Sequence, residues 1–267
     1  MSNKQIYRYP VNFSDSNSTF GIASKYIKKG NAILDIGCFD GRFIKKLKKE
    51  KNCSVIGMDI NADAVKIAQT NNLDARVFDL DRPEGLLKLP KKSFDVITLL
   101  DVLEHLPYPP KLISYLSDLL KDSGKLIISI PNINHVDVAI KIIADGWTPF
   151  EDGLLDKTHV HFYSTEEITD LLAKQSLFVQ REHHVVVPPG MTNLPSNIEK
   201  HAEIYRRIKE YLNPKESCTF QKVFIIGKKR SKKLLYHASM NERPTNYIIQ
   251  RLGVFFKLLL NDFKTNL

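Results

Sequence analysis

Residues 32–41, Ala32-Ile33-Leu34-Asp35-Ile36-Gly37-Cys38-Phe39-Asp40-Gly41, decide the fold. An apolar run of strand length ends in an acidic residue and two glycines, and helical spacing then takes over at Arg42–Lys51. A strand covered on both faces reads as such a continuous run, and glycines let the chain turn tightly from its carboxyl end into the next helix. The same alternation extends outward. Strands are expected at Ser54–Asp59, Ala75–Asp79, Phe94–Leu100, Lys125–Ile130, Leu177–Val187 and Phe220–Gly227. Helices are expected at Ala62–Thr70, Pro110–Lys121, Thr165–Gln175 and Asn197–Leu212, with Asn61 and Ser164 as N-caps and Glu167 completing a capping box.

Strands alternating with helices imply βαβ crossovers. The expectation is an α/β fold: a Rossmann-like, doubly wound, seven-stranded and mostly parallel sheet. Residues 132–158 interrupt the alternation after the fifth strand and read as an insertion over the ligand edge of the sheet. The chain divides into an N-terminal substrate-side segment (1–30), a catalytic domain (31–227) and a basic amphipathic helical tail (228–267).

Composition bounds the rest. The chain has 267 residues, 43% apolar and 26% charged, which excludes wholesale disorder, collagen and coiled coil. Cys38, Cys53 and Cys218 lack metal-ligand spacing, and no stretch reaches the ~18 apolar residues of a bilayer span. A reduced, cytoplasmic chain without a signal sequence is expected. Residues 221–267 carry ten Lys and Arg against Glu242 and Asp262, so of the net +9 only +1 belongs to the remainder. A face built to grip nucleic acid would need cations around the site itself, and they are absent there.

In open α/β sheets ligands sit beyond the carboxyl ends of the strands, so the residues that end each strand carry the information. Asp59, which is 24 residues after Asp35, is placed to accept two hydrogen bonds from ribose hydroxyls. Asp79 can accept from an exocyclic adenine amine while Leu80 packs on the ring. Three strand ends thus fit an adenosine. A dinucleotide dehydrogenase would carry G-x-G-x-x-G, whereas the glycines here are Gly37 and Gly41.

These residues, with Ser93-Phe94-Asp95-Val96, Asp101-Val102-Leu103-Glu104-His105-Leu106, residues 124–132 and Asp156-Lys157-Thr158-His159-Val160-His161-Phe162-Tyr163-Ser164, resemble the class I S-adenosylmethionine (SAM) dependent methyltransferases. The likeness covers about residues 7–227 and falls in the small-molecule branch that includes ubiquinone-biosynthesis O-methyltransferases. The last stretch resembles a subgroup associated with glycan and cell-surface polysaccharide biosynthesis. The resemblance implies SAM as cofactor. It further implies that Asp35, Gly37, Cys38 and Gly41 shape the loop around the methionyl part. Asp59 and Ile60 would hold the ribose side, Asp79 and Leu80 the adenine, and Asp101 the methionyl side. Phe39 departs from the family, which usually has glycine or another small residue there.

Methyl transfer from a sulfonium needs no acid for its leaving group, but a hydroxyl acceptor calls for a base. His105, after the fourth strand, and His159 are the candidate catalytic residues; His161 shares a face with His159 in an extended segment. A metal would need a third ligand such as Asp156 or Asp152, and the spacing does not demand one, so none is assigned. Nucleic-acid amine methyltransferases carry an (Asp/Asn)-Pro-Pro-aromatic tetrad where this chain has Asp101-Val102-Leu103-Glu104. A cytosine-C5 enzyme would need a cysteine in its own loop, whereas Cys38 lies in the cofactor turn.

The expected partner is therefore a small-molecule or glycan or lipid-linked hydroxyl acceptor, with no nucleic acid. Residues 228–233 are basic and precede an apolar helical pattern at 245–263, which suits peripheral contact with an anionic membrane face, or packing on the domain or on a second copy. Oligomeric state is open. The competing class of function is a non-catalytic methyltransferase-like binding module or scaffold subunit.

Overall fold

In the computed structural model, the structure describes residues 10–192, 194, 202–206, 211 and 213–230. Seven strands form one sheet, in the order β3-β2-β1-β4-β5-β7-β6: β1 Ala32–Ile36, β2 Ser54–Asp59, β3 Ala75–Val77, β4 Phe94–Leu100, β5 Leu120–Pro131, β6 Phe178–Val186 and β7 Thr219–Gly227. All neighbours pair in parallel except β7, which runs antiparallel to both β5 and β6. The expected doubly wound, mostly parallel sheet is the observed one.

Among the described residues, the α-helices before β6 are α1 Thr19–Lys25, α2 Arg42–Lys51, α3 Ala62–Thr70, α4 Pro109–Leu119, α5 Val136–Asp145 and α6 Thr165–Ala173, and a single turn, Pro214–Ser217, precedes β7. The two faces bury separate cores. Leu34, Ile36, Ile97 and Ile128 pack with Leu112, Leu116, Ile168 and Leu172 of α4 and α6. On the other face Ile33, Val55, Val96 and Ile127 pack with Ile22, Phe43, Ile44 and Val65 of α1, α2 and α3. Burying each such side chain stabilises the fold by about 1.5–3 kcal/mol. The strands alternate between these two layers, and for this reason they are apolar throughout.

The helix signals are physical as well. Asn61 Oδ1 accepts from the Ala64 amide. Ser164 and Glu167 close a full capping box, with Ser164 Oγ accepting from the Glu167 amide and Glu167 Oε2 from the Ser164 amide.

Three expectations need correction. β3 stops at Val77: the Phe78 amide makes the last ladder bond, to the Asp59 carbonyl, and Asp79 then closes a turn, accepting from the Asp81 amide on Oδ1 and from the Arg82 amide on its carbonyl, so it lies beyond the strand. β5 begins at Leu120, which pairs with Phe94, and a register irregularity separates that bridge from the main ladder at Lys125. The insertion after β5 contains α5, whose N-cap is His135, its Nδ1 accepting from the Asp137 amide rather than an Asn, Asp, Ser or Thr oxygen. Of the helix expected at 197–212, residues 202–206 are helical and most of the rest lies outside the described residues, as does the tail from 231 onward. Among the described residues no helix is long and apolar enough to cross a membrane.

Candidate functional site

The carboxyl edges of β1, β2 and β4 gather the acidic residues. Gly37 (φ 78°) and Gly41 (φ 78°) lie in the left-handed region and make the turn after β1. A Cβ at Gly37 would meet Val102 Cγ2 at 2.4 Å, and one at Gly41 would meet Leu73 Cδ1 at 2.6 Å, so both positions require glycine. Phe39, between them, also has positive φ (48°), a conformation costing a side-chain-bearing residue about 1–2 kcal/mol. The compensation is visible: the Phe39 amide donates to Asp59 Oδ2 at 2.7 Å. Asp59 Oδ1 accepts from the Asn61 amide at 2.8 Å, so this carboxylate ties the β1 turn to the start of α3. Each of its oxygens retains a second lone pair for a ribose hydroxyl.

Asp35 is buried in the same edge, and Thr98 of β4 donates to its Oδ1 at 2.6 Å. Burial pushes its pKa up to about 7, against the help of Thr98, and the Asp59 charge adds to the rise. Cys38 turns its thiol into the core beside Ile44 and Gly57, where burial raises its pKa, while its amide donates to the Met58 carbonyl and its carbonyl accepts from the Gly41 amide. Beside Asp59, Ile60 is 68% exposed, a large apolar side chain at the rim with room for a flat ring against it.

Asp79, expected to hold the adenine amine, lies in the turn just beyond β3. Its Oδ1 accepts from the Asp81 amide and its Oδ2 lies 3.9 Å from Arg82 Nε, which makes it a turn former at the rim. Leu80 is half-buried and packs on the core beneath.

Asp101 follows β4 with φ 56°, another left-handed non-glycine. Ser129 Oγ donates to its Oδ1 at 2.6 Å and Gln221 Nε2 to its Oδ2 at 2.7 Å. Thr19 of α1 donates to Gln221 Oε1 at 2.7 Å, so the N-terminal segment reaches the site through this chain. The Asp101 side chain is open to solvent on one side and walled by protein on the others, and the resulting desolvation raises its pKa.

The second half of the site joins the turn after β4 to residues 156–163. The Val160 and His161 amides both donate to the Glu104 carbonyl, at 2.9 and 3.1 Å, and His161 Nε2 lies 3.3 Å from the Pro107 carbonyl oxygen. His105 and His159 pack edge to face, ring centres 4.8 Å apart. His159 continues through Phe162 (6.0 Å) to Trp147 (5.6 Å further), an aromatic row that ends exposed.

The two candidate histidines now separate. His159 is mostly enclosed, and burial, followed by the charge of His105, lowers its pKa to about 4. An imidazole held neutral so firmly is a weak base, which makes His105 the stronger of the two expected catalytic histidines. Glu104 is buried, with Oε2 lacking a hydrogen-bond partner among the described residues, and burial followed by the Asp101 charge raises its pKa well above the usual range. The buried Tyr163 hydroxyl is likewise unpartnered, its pKa pushed to about 12 by burial and then by Glu104.

The donor atoms of Glu104, His105 and His159 lie within 4.8 Å of one another. Ligands at about 2.1 Å around a tetrahedral zinc sit about 3.4 Å apart, so this cluster is wider than a formed metal site. His183 and His184 serve β6 structurally: His183 Nε2 lies 2.6 Å from the Tyr26 hydroxyl, and His184 Nδ1 lies 2.8 Å from Thr219 Oγ1.

Sequence reasoning missed Thr98, Ser129 and Gln221, which orient the carboxylates, and Thr158. Only Thr158 carries a local signal, the Asp-x-Thr turn it forms with Asp156. Gln221 lies 120 residues from the aspartate it holds, and nothing local could reveal it.

A family model described as a methyltransferase domain matches residues 18–180. A ubiquinone biosynthesis O-methyltransferase from Idiomarina loihiensis is 32% identical over 127 residues, 45% of this chain and 52% of that protein. One from Xanthomonas axonopodis pv. citri is 27% identical over 125 residues, 46% of this chain and 52% of that protein. The chain thus spans about half the length of the curated relatives it matches. Among solved structures, a SAM dependent methyltransferase from Archaeoglobus fulgidus superposes with TM-score 0.58 at 25% identity, covering 82% of this chain and 95% of that one.

Proposed function

Because the chain belongs to the methyltransferase-domain family, we propose that it binds SAM along the edges of β1, β2 and β4 and transfers a methyl group to a hydroxyl of a small molecule. The observation that carries the reading is the Gly37–Gly41 turn with Asp35, Asp59 and Asp101 set around it. When bound, SAM supplies a methyl carbon made electrophilic by a positively charged sulfur. The chain's residues fit such a ligand: Asp59 and Asp101 bring acidic groups to the edge that would hold a cation, Asp59 retains lone pairs for ribose, and Ile60 offers an apolar surface to a base.

The departing thioether is neutral and needs no acid. What the protein must supply is alignment, and for a hydroxyl a proton acceptor. His105 is the group for that role, because it stands after β4, only four residues from Asp101. The names of the relatives support oxygen as the accepting atom. A glycan or lipid-linked precursor is the narrower form of this reading, and sugars join phenols as acceptors to be tried.

The test is transfer of labelled methyl from SAM to a panel of phenols, sugars, lipid-linked sugars and amines. Label on a phenol or sugar oxygen is the expected result. Label confined to amines would overturn the oxygen assignment, and SAM binding without any transfer would favour the binding-module alternative.

A further inference from the structure

We propose that Asp156 and Thr158 are positioning residues that hold His105 as its Nδ1–H tautomer and so present Nε2, with its lone pair, to the acceptor hydroxyl. The inference rests on the methyl-transfer reading above and deepens it.

The protons available around His105 Nδ1 fix its tautomer. The Thr158 hydroxyl has one, and it is donated to Asp156 Oδ1 at 2.6 Å, where the Thr158 amide also donates at 2.8 Å. Thr158 Oγ1 can then only accept from His105 Nδ1, 3.0 Å away. The Thr158 carbonyl, 3.2 Å from the same nitrogen, can never do anything but accept. Two acceptors therefore face Nδ1, so Nδ1 carries the hydrogen and Nε2 does not. A neutral imidazole in this state is a base at Nε2.

The arrangement is anchored. Asp156 is buried, and its carbonyl accepts from the His159 amide. The following segment is held to the His105 turn by the paired amides of Val160 and His161 on the Glu104 carbonyl. A carboxylate acting on an imidazole through a hydroxyl has the logic of a carboxylate–histidine pair with one group interposed. In the step itself the acceptor oxygen forms its bond to the methyl carbon, the carbon–sulfur bond breaks with its electron pair going to sulfur, and the hydroxyl proton passes to His105 Nε2.

The direct test is a long-range ¹H–¹⁵N correlation spectrum of the ¹⁵N-histidine-labelled full chain, taken where the ring is neutral, with His105 assigned by its loss in His105→Asn. It needs no acceptor and no turnover, so its outcome is separate from that of the methyl-transfer reading. A protonated Nδ1 and bare Nε2 is expected, with the tautomer mixture shifting toward Nε2–H in Thr158→Val and restored in Thr158→Ser. With an acceptor in hand, Thr158→Val should lower kcat about 10-fold, the cost of roughly one hydrogen bond, leave KM for SAM unchanged and recover in Thr158→Ser. A wild-type His105 bearing its proton on Nε2, or a Thr158→Val chain with unaltered tautomer and kcat, would overturn the proposal.

Discussion

The two halves of the site are built by different means. The half around β1 and β2 is made of backbone: left-handed glycines, a turn amide on Asp59, and strand ends fixed by the parallel ladder. The half around His105 joins two segments more than fifty residues apart, docked by two amides on the Glu104 carbonyl, and its chemistry is carried by side chains: a hydroxyl, a carboxylate and a row of rings. A backbone site tolerates variation in the side chains it carries, as Phe39 illustrates. A side-chain site depends on each member. The first should thus govern binding of SAM and the second the rate of transfer.

That division can be broken most forcefully at His105. His105→Asn should reduce kcat by about 10²–10⁴-fold, the usual worth of a general base, with SAM affinity unchanged when measured by equilibrium dialysis. A parallel loss of affinity would merge the two halves into one. Asp59→Ala is the reciprocal change. It removes the ribose acceptor and also the anchors of the Phe39 and Asn61 amides, and SAM affinity should fall about 100-fold, near 2.7 kcal/mol. Circular dichroism should report an intact fold, since the sheet cores do not include this residue.

Asp35 sharpens the electrostatic side of the comparison. Its folded pKa is about 7 against an ordinary 3.8, so between those values the folded chain holds a proton that the unfolded chain has released. Stability contributed by that proton is present at low pH and declines as pH rises through the window, by at most about 1.4 kcal/mol per pH unit. Urea denaturation from pH 4 to 8 should show the decline in the wild type and its flattening in Asp35→Asn. A wild-type slope identical to that of the variant would mean the carboxyl titrates normally.

Phe39→Gly has the smallest expected effect. Relief of the left-handed strain, about 1 kcal/mol, is offset by the freedom that glycine regains on unfolding, about 0.5–1 kcal/mol. Stability should change by less than about 1 kcal/mol and SAM affinity by less than about threefold, because the backbone bond to Asp59 survives. A large gain in affinity would show that the side chain itself obstructs the loop.

The same contrast explains what could be read from the sequence. β1, β2 and β4, with α2 and α3, have the boundaries that periodicity and capping indicate, because those signals are local. α1 escaped because it is seven residues long with Gly21 inside it, and α5 because a histidine caps it. Asp59 was legible from a strand end, since the parallel sheet dictates where strand ends meet, whereas Asp35 and Asp101 were pointed to by the family resemblance. Asp79 was less so, because β3 ends two residues early and the side chain closes a turn. Near His105 the decisive facts are a single proton on Thr158 and the burial of His159, and both arise only when residues 156–163 fold onto the turn after β4.

The central claim is that the edge of β1, β2 and β4 binds SAM, and isothermal titration of the full chain with SAM, S-adenosylhomocysteine and NAD tests it most directly. Saturable binding of the first two with none for NAD is the predicted result. Binding of NAD, or of none of the three, would contradict it.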